Sequence, residues 1–248
     1  MSVLNHRLIS RRYFFPIVQP LLDPWMVDVP GARLACARYV FDPAAPTVLH
    51  FHGNGEVVDD YLPWLPALMA EVGANLVLAE YRGYGGSTGE PRLAEMLSDG
   101  PAIFDALGLP PEKVIAFGRS LGSLYAMNLA AARPGLAGLI IESGIADVLE
   151  RLLLQITPEA LGVTLAQLAA AVTTHLNPRT WLARHHGPSL FLHTSHDALV
   201  PAQHARCLHE WAREPKRRVI FAHGDHNSIF ETNRDAYGRA LREFLEAT

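Results

Sequence analysis

Residues 116–123 read AFGRSLGS, with Ser120 between Gly118 and Gly122 in a G-x-S-x-G pattern. A hydroxyl in such a place can attack an acyl carbonyl. It is a weak nucleophile near neutral pH, so it needs a histidine to take its proton and a carboxylate to orient that histidine. The pattern gains meaning from its surroundings. The run KVIAF (113–117) reads as a strand and LGSLYAMNLAAA (121–132) as a buried helix, which sets Ser120 on the turn between them. Two residues without Cβ atoms allow strand and helix to approach closely there, and the helix presents its first amides to any developing negative charge. The plainer alternative is a serine that only caps a helix.

Position selects the partners. Of 12 histidines, those after the last apolar run, RVIF (218–221), are the candidates for the base, in AHGDHNSIF (222–230). His226 is favoured over His223, because Gly224 permits a turn before it and a helix begins just after. His223 reads as a strand end. The acid is expected after the preceding strand, SLFLH (189–193), where HDALVP carries Asp197 four residues before Pro201. Asp197 would also suit the cap of a following helix. Glu142 and Asp147 are reserve candidates, and Asp225 lies too close to His226 in sequence to accept from its ring. A tetrahedral intermediate needs two amide donors. One is the backbone N–H of Leu121. The other comes from HGNGE (52–56), which follows the apolar run TVLHF (47–51), and Asn54 is the best placed of its residues.

These groups must be held by a regular scaffold. Met26–Val29 and Arg33–Phe41 read as a hairpin turning at Pro30-Gly31. After them, short apolar runs at 47–51, 75–80, 113–117, 138–141, 189–193 and 218–221 alternate with helical patterns. Residues 61–71 and 93–107 carry prolines that blur or interrupt their helices, and the last helix spans 229–247. Such alternation predicts an α/β fold with a parallel sheet and helices on both faces. The strands lack polar alternation, as strands buried on both faces do. About forty-five residues separate Ile141 from Ser189, far more than a simple crossover uses. Within them TLAQLAAAVTTH reads as a helix with Leu165, Leu168, Ala169 and Val172 on one face. The expectation is one domain over residues 1–248 with a small helical lid inserted at about 143–187.

Bulk composition narrows the classes. The 248 residues are 49% hydrophobic and 19% charged, with a net charge of −4. That suits a compact globule and gives no basic footprint for nucleic acid. No run of about eighteen apolar residues suggests a membrane span. The N-terminal stretch has two arginines splitting its apolar residues, unlike a secretory signal, so Tyr13-Phe14-Phe15 is expected to cover the core. Cys36 and Cys207 form no CxxC pair and are expected as reduced thiols, in keeping with a cytoplasmic protein.

Five motifs occur in one order: HGNGE, EYRGYGGSTGEP, GRSLGS, HDALVP and GDHN. Together they resemble the α/β-hydrolase superfamily, and are most similar to its small serine-hydrolase branch with HGN(G/A), YRGYG and G-x-S-x-G motifs. The likeness runs over residues 25–247. It implies an eight-stranded, mostly parallel sheet and hydrolysis through an acyl-enzyme. Motif by motif it assigns Ser120 as nucleophile, Asp197 as acid, His226 as base, and Asn54 and Leu121 as oxyanion donors. Thr194 and Glu80 stand where members often carry Gly and Asp.

The expected activity is therefore cleavage of a small-molecule carboxylic ester or thioester, with no metal or organic cofactor. Acyl transfer or peptide cleavage on the same triad, or a non-catalytic binding module, are the alternatives. Glu56 reads as a first-turn helix carboxylate. Arg82 and Ser87 read as struts of their glycine-rich loop. His185-His186 and His193-x-x-His196 lack a metal-binding spacing.

Overall fold

The computed structural model of the chain describes residues 2–248. In chain order its elements are α1 (Arg7–Arg12), β1 (Trp25–Val29), β2 (Ala32–Tyr39), β3 (Thr47–Phe51), α2 (Val58–Tyr61), α3 (Leu65–Val72), β4 (Asn75–Ala79) and α4 (Asp99–Leu107). Then follow β5 (Val114–Arg119), α5 (Gly122–Ala132), β6 (Gly138–Glu142), α6 (Val148–Leu153), α7 (Leu165–His175), α8 (Pro178–Arg184), β7 (Ser189–Thr194), α9 (Gln203–Trp211), β8 (Lys216–Phe221) and α10 (Ile229–Glu246). The strands make one eight-stranded sheet in the order β1-β2-β4-β3-β5-β6-β7-β8. β2 runs antiparallel to both β1 and β4, and every other pairing is parallel.

The apolar runs follow from this burial. Leu49, Phe51, Val77, Ala116, Ile141 and Phe191 belong to one core. Their strand neighbours Val48, Leu76, Ile115, Phe117, Ile140 and Leu190 belong to a second. Side chains alternate between faces along a strand, so two covered faces demand continuous apolar sequence. Helices α4, α5, α8 and α9 cover the first face through Ile103, Leu124, Leu182 and Leu208. Helices α3 and α10 cover the second through Leu65, Met69, Tyr237 and Leu241. The edge strand β8 instead opens with Lys216, Arg217 and Arg218, none of them buried, and such charges discourage pairing with another chain.

Proline and glycine set several boundaries. The helical pattern over 61–71 is realised as two helices, α2 and α3, parted at Leu62–Trp64. Pro66 lies in the first turn of α3, where its missing N–H costs no bond. Likewise α4 begins at Asp99, which puts Pro101 in its first turn.

The long connection from β6 to β7 holds α6, α7 and α8. Trp181 and Leu182 of α8 join the core with α5, so α8 is the crossover helix that a parallel connection requires. Helices α6 and α7 are additional to it. Leu168 and Val172 of α7 are buried, but Leu165 is 53% exposed, because it is the first residue after the Thr164 cap and lies beyond the packed part of the face. At the N-terminus Leu4, Ile9, Tyr13 and Phe14 are buried, whereas Phe15 is more than half exposed. Cys36 and Cys207 are free thiols. Among the described residues no helix is long and apolar enough to cross a membrane.

Candidate active site

Ser120 stands at the end of β5 with φ +51°, a left-handed conformation that costs a non-glycine residue energy. The turn that enforces it tolerates no side chains beside it. A Cβ on Gly118 would lie 2.4 Å from the Gly122 carbonyl oxygen, and one on Gly122 would lie 2.1 Å from that of Phe51. The Ser120 N–H donates to the Glu142 carbonyl of β6 at 2.8 Å. The hydroxyl is thereby raised over the carboxyl ends of the parallel strands, at the start of α5.

Two other loops at the same end of the sheet reach it. His226 follows β8, and its Nε2 lies 3.0 Å from Ser120 Oγ. Its Nδ1 lies 2.7 Å from Asp197 Oδ2, in the loop after β7. Asp197 also accepts the N–H groups of Leu199 and Val200 through Oδ1, at 3.0 and 2.7 Å, so it orders its own loop besides facing His226. Burial opposes its charge, but hydrogen bonds from His193 and His226 outweigh burial and hold its pKa below the usual carboxylate range.

The other sequence candidates lie elsewhere. Glu142 pairs with Arg119 at 3.0 Å and accepts from Tyr237. Asp147 caps α6 through the Glu150 N–H at 2.9 Å. Asp225 accepts the N–H groups of Asn227 and Ser228 at 3.0 Å each. His223 is exposed.

The loop after β3 is anchored by His52. Its Nδ1 lies 2.7 Å from the Gly53 carbonyl oxygen and its Nε2 2.7 Å from Glu80 Oε1. Both partners are acceptors, so a ring protonated at both nitrogens satisfies them. Burial opposes that charge, yet the Glu80 carboxylate more than compensates and the pKa of His52 is raised. In the next residue but one, the Asn54 side chain ties down the N-terminal segment. Its Oδ1 accepts from the Phe15 N–H at 3.2 Å and the Tyr84 hydroxyl at 2.9 Å, and its Nδ2 donates to the Tyr13 carbonyl. What Asn54 can offer a substrate is therefore its backbone N–H. Among the described residues neither that N–H nor the N–H of Leu121 has a hydrogen-bond acceptor, and both residues line a cavity of about 290 Å³ with Ser120 and His226.

The sequence motifs assign no role to two residues of this site. Arg119, next to the serine, extends its guanidinium across three loops. It pairs with Glu56 and Glu142, and Nη2 donates to the His226 carbonyl at 2.8 Å and to Asn227 Oδ1 at 3.3 Å. Glu56 lies before α2 rather than in its first turn, because its carboxylate is drawn to Arg119, the Gly53 N–H at 2.7 Å and the Tyr61 hydroxyl. A signal was available for Arg119: it is a charged residue closing an otherwise apolar strand. The second is Arg151 of α6, which lines the cavity with Tyr13 and Leu199.

Arg82 forks onto Asp99 with two bonds of 2.7 Å, and Ser87 accepts the Ala35 N–H at 2.9 Å, so both are struts of their loop. His193 Nε2 lies 2.7 Å from the Val200 carbonyl oxygen, and His185 Nε2 lies 3.3 Å from that of Pro188. No group of three or more metal-ligating side chains occurs among the described residues.

An eight-stranded, mostly parallel sheet of this order, with helices on both faces and a serine turn leading from strand to helix, defines an α/β-hydrolase. Within that class the chain belongs to the family described as serine aminopeptidase, S33, whose profile matches residues 42–186, more than half of its length. It is 25% identical over 220 residues to the uncharacterized protein YfhR of Escherichia coli K12, covering 82% of this chain and 71% of that one. The fold is similar to that of Est1E from Butyrivibrio proteoclasticus, solved with ferulic acid bound, at a TM-score of 0.74 and 19% identity, covering 90% and 98% of the two chains. It is also similar to a monoacylglycerol lipase from Paleococcus ferrophilus, at a TM-score of 0.65 and 21% identity, covering 86% and 98%.

Proposed function

We propose that this chain is a serine hydrolase that cleaves carboxylic esters or thioesters through an acyl-enzyme. The observation that carries the reading is the hydrogen-bonded chain from Ser120 Oγ through His226 to Asp197, at 3.0 and 2.7 Å. In this mechanism His226 Nε2 takes the hydroxyl proton as Oγ attacks the carbonyl carbon. The negative oxygen is received by the N–H groups of Asn54 and Leu121 at the start of α5. Asp197 fixes the ring tautomer and balances the imidazolium charge. His226 then protonates the departing alkoxide or thiolate. Water attacks the acyl-enzyme, giving its proton to His226, and the acid leaves as Oγ regains a proton. Every proton passes between these side chains and water, so the steps call on no cofactor.

The family description brings a second reading, removal of an N-terminal residue from a peptide. An aminopeptidase must hold a cationic amino terminus, which calls for a free carboxylate beside the serine. Glu56 lines the cavity, but its carboxylate is occupied by Arg119, Gly53 and Tyr61. The cavity's other charged side chains, Arg119 and Arg151, are cations, of the wrong sign. Both points favour the ester reading.

Steady-state assays with 4-nitrophenyl acyl esters beside aminoacyl 4-nitroanilides separate the cases. Ester turnover without anilide turnover is expected. Faster anilide cleavage means a peptidase. Folded protein that turns over neither means a binding module.

A further inference from the structure

Two arginines line the cavity beside Ser120, and Arg119 is paired with Glu56 and Glu142, which leaves Arg151. Arg151 lies in α6, the first of the two helices added between β6 and β7, and its side chain is only 18% exposed. Among the described residues its guanidinium makes no hydrogen bond, and its one ionic contact is a 3.7 Å approach to its sequence neighbour Glu150. That carboxylate is about half exposed and also lies 3.4 Å from His204 Nε2.

The two buried arginines are treated differently. Arg82 is saturated by Asp99 and Glu95, and Arg119 by Glu56, Glu142, His226 and Asn227. A guanidinium carries five N–H donors, and losing most of its water without gaining acceptors is unfavourable. An arrangement of this kind is productive when a ligand supplies the acceptors, and a carboxylate matches the guanidinium fork with two parallel bonds.

Nothing else in the cavity neutralises that charge. Glu56 is engaged by Arg119, and Asp197 turns its oxygens to His226, His193 and its own loop. Tyr13 lines the same cavity, and burial pushes its hydroxyl up to about 12, so it stays a neutral donor. One cation and one neutral donor match a single negative charge.

We propose that Arg151 is the specificity residue of this site and recognises a carboxylate carried by the substrate, making the preferred substrate an acyl ester with one additional negative charge. This deepens the ester reading of Ser120 and rests on it. Arg151 and Ser120 line the same cavity of about 290 Å³, so a short chain joins the scissile carbonyl to the carboxylate. The anion then does two things. It orients the ester along the Arg151–Ser120 axis, and it supplies the acceptors that Arg151 lacks.

Two experiments test this, one without catalysis. Calorimetric titration of the Ser120→Ala protein with monomethyl glutarate and with dimethyl glutarate compares a singly charged ester with its neutral counterpart. The monoanion is expected to bind at least ~10-fold more tightly. That preference is expected to vanish in Ser120→Ala/Arg151→Gln and to return in part with Arg151→Lys. Equal affinities, a preference that survives Arg151→Gln, or no measurable binding of the monoanion overturns the proposal. With the Ser120 enzyme, the ratio of kcat/KM for mono-4-nitrophenyl glutarate to that for its methyl-capped form is expected to exceed ~10 and to fall toward one in Arg151→Gln. If neither ester is turned over, the hydrolase reading fails, while the titration still decides the role of Arg151. Among the described residues Arg151 has only the 3.7 Å contact with Glu150 to lose, so a Tm for Arg151→Gln close to that of the parent separates a binding role from a structural one.

Discussion

The guanidinium of Arg119 donates to the main-chain carbonyl of His226 at 2.8 Å, so the residue before the nucleophile holds the loop that carries the proposed base. The same group is anchored by Glu142 and Glu56, and Glu56 in turn holds the Gly53 N–H. One buried cation thus fixes the positions of the serine turn, the histidine loop and the HGNGE loop relative to one another. Arg119→Gln leaves the buried Glu142 carboxylate and the half-buried Glu56 carboxylate without a counterion, and it is expected to cost ~3–5 kcal/mol of stability. Displacement of the loops is expected to lower kcat/KM on the order of 100-fold. Urea denaturation and steady-state kinetics check the two effects. A variant with normal stability and kinetics contradicts the clamp.

Asn54 separates a side-chain role from a backbone role. Its amide group holds Tyr13 and Phe15, while its N–H is left for the substrate. Asn54→Ala keeps the N–H. The expected result is a stability loss of ~1–2 kcal/mol and a raised KM, with kcat within ~3-fold of the parent. A fall in kcat of ~10²–10³ is instead what loss of an oxyanion donor produces, and it would assign that role to the side chain.

Asp197→Asn preserves shape and removes charge. The Asp197 carboxylate is held ionised by His193, His226 and the loop amides, and an amide in its place turns a donor toward His226 Nδ1. That selects the tautomer whose Nε2 cannot accept the Ser120 proton. The expected loss in kcat is ~10³–10⁴-fold. A loss below ~10-fold, measured on the best ester at saturation, means that another carboxylate serves.

Much of this site is local in sequence, and that part is legible there. The Gly118-x-Ser120-x-Gly122 turn, the β-strand ends and the order Ser120, Asp197, His226 follow from short-range pattern and from which loops leave the carboxyl ends of parallel strands. The clamp is not local. Arg119 reaches Glu56 and His226 across 63 and 107 residues of chain, and no periodicity encodes such pairings. The same holds for Asn54 and Tyr13, 41 residues apart. For α8 the reason is different. Its seven residues fall inside a long connection full of helical patterns, and only packing against α5 separates a crossover helix from the two helices added before it.

The buried His52–Glu80 pair gives stability a pH dependence of definite sign. The folded pKa of His52 is raised above the ~6.5 of an unfolded histidine, so the folded state binds the extra proton. The stabilisation is complete below that unfolded value and is lost as pH rises through the folded one. In Glu80→Gln the ring loses its counterion, and this decline with pH should disappear. Urea midpoints of both proteins from about pH 6 to about pH 9 check it. Curves that stay parallel over that range contradict a charged His52.

The proposed mechanism requires a Ser120 hydroxyl activated for attack on an acyl carbonyl. A fluorophosphonate phosphonylates an activated serine far faster than an ordinary hydroxyl, so the most direct measurement is the intact mass of the labelled parent protein beside Ser120→Ala. One adduct on the parent and none on the variant is the predicted result. A folded parent that takes no label, or a variant that takes as much, contradicts an activated Ser120.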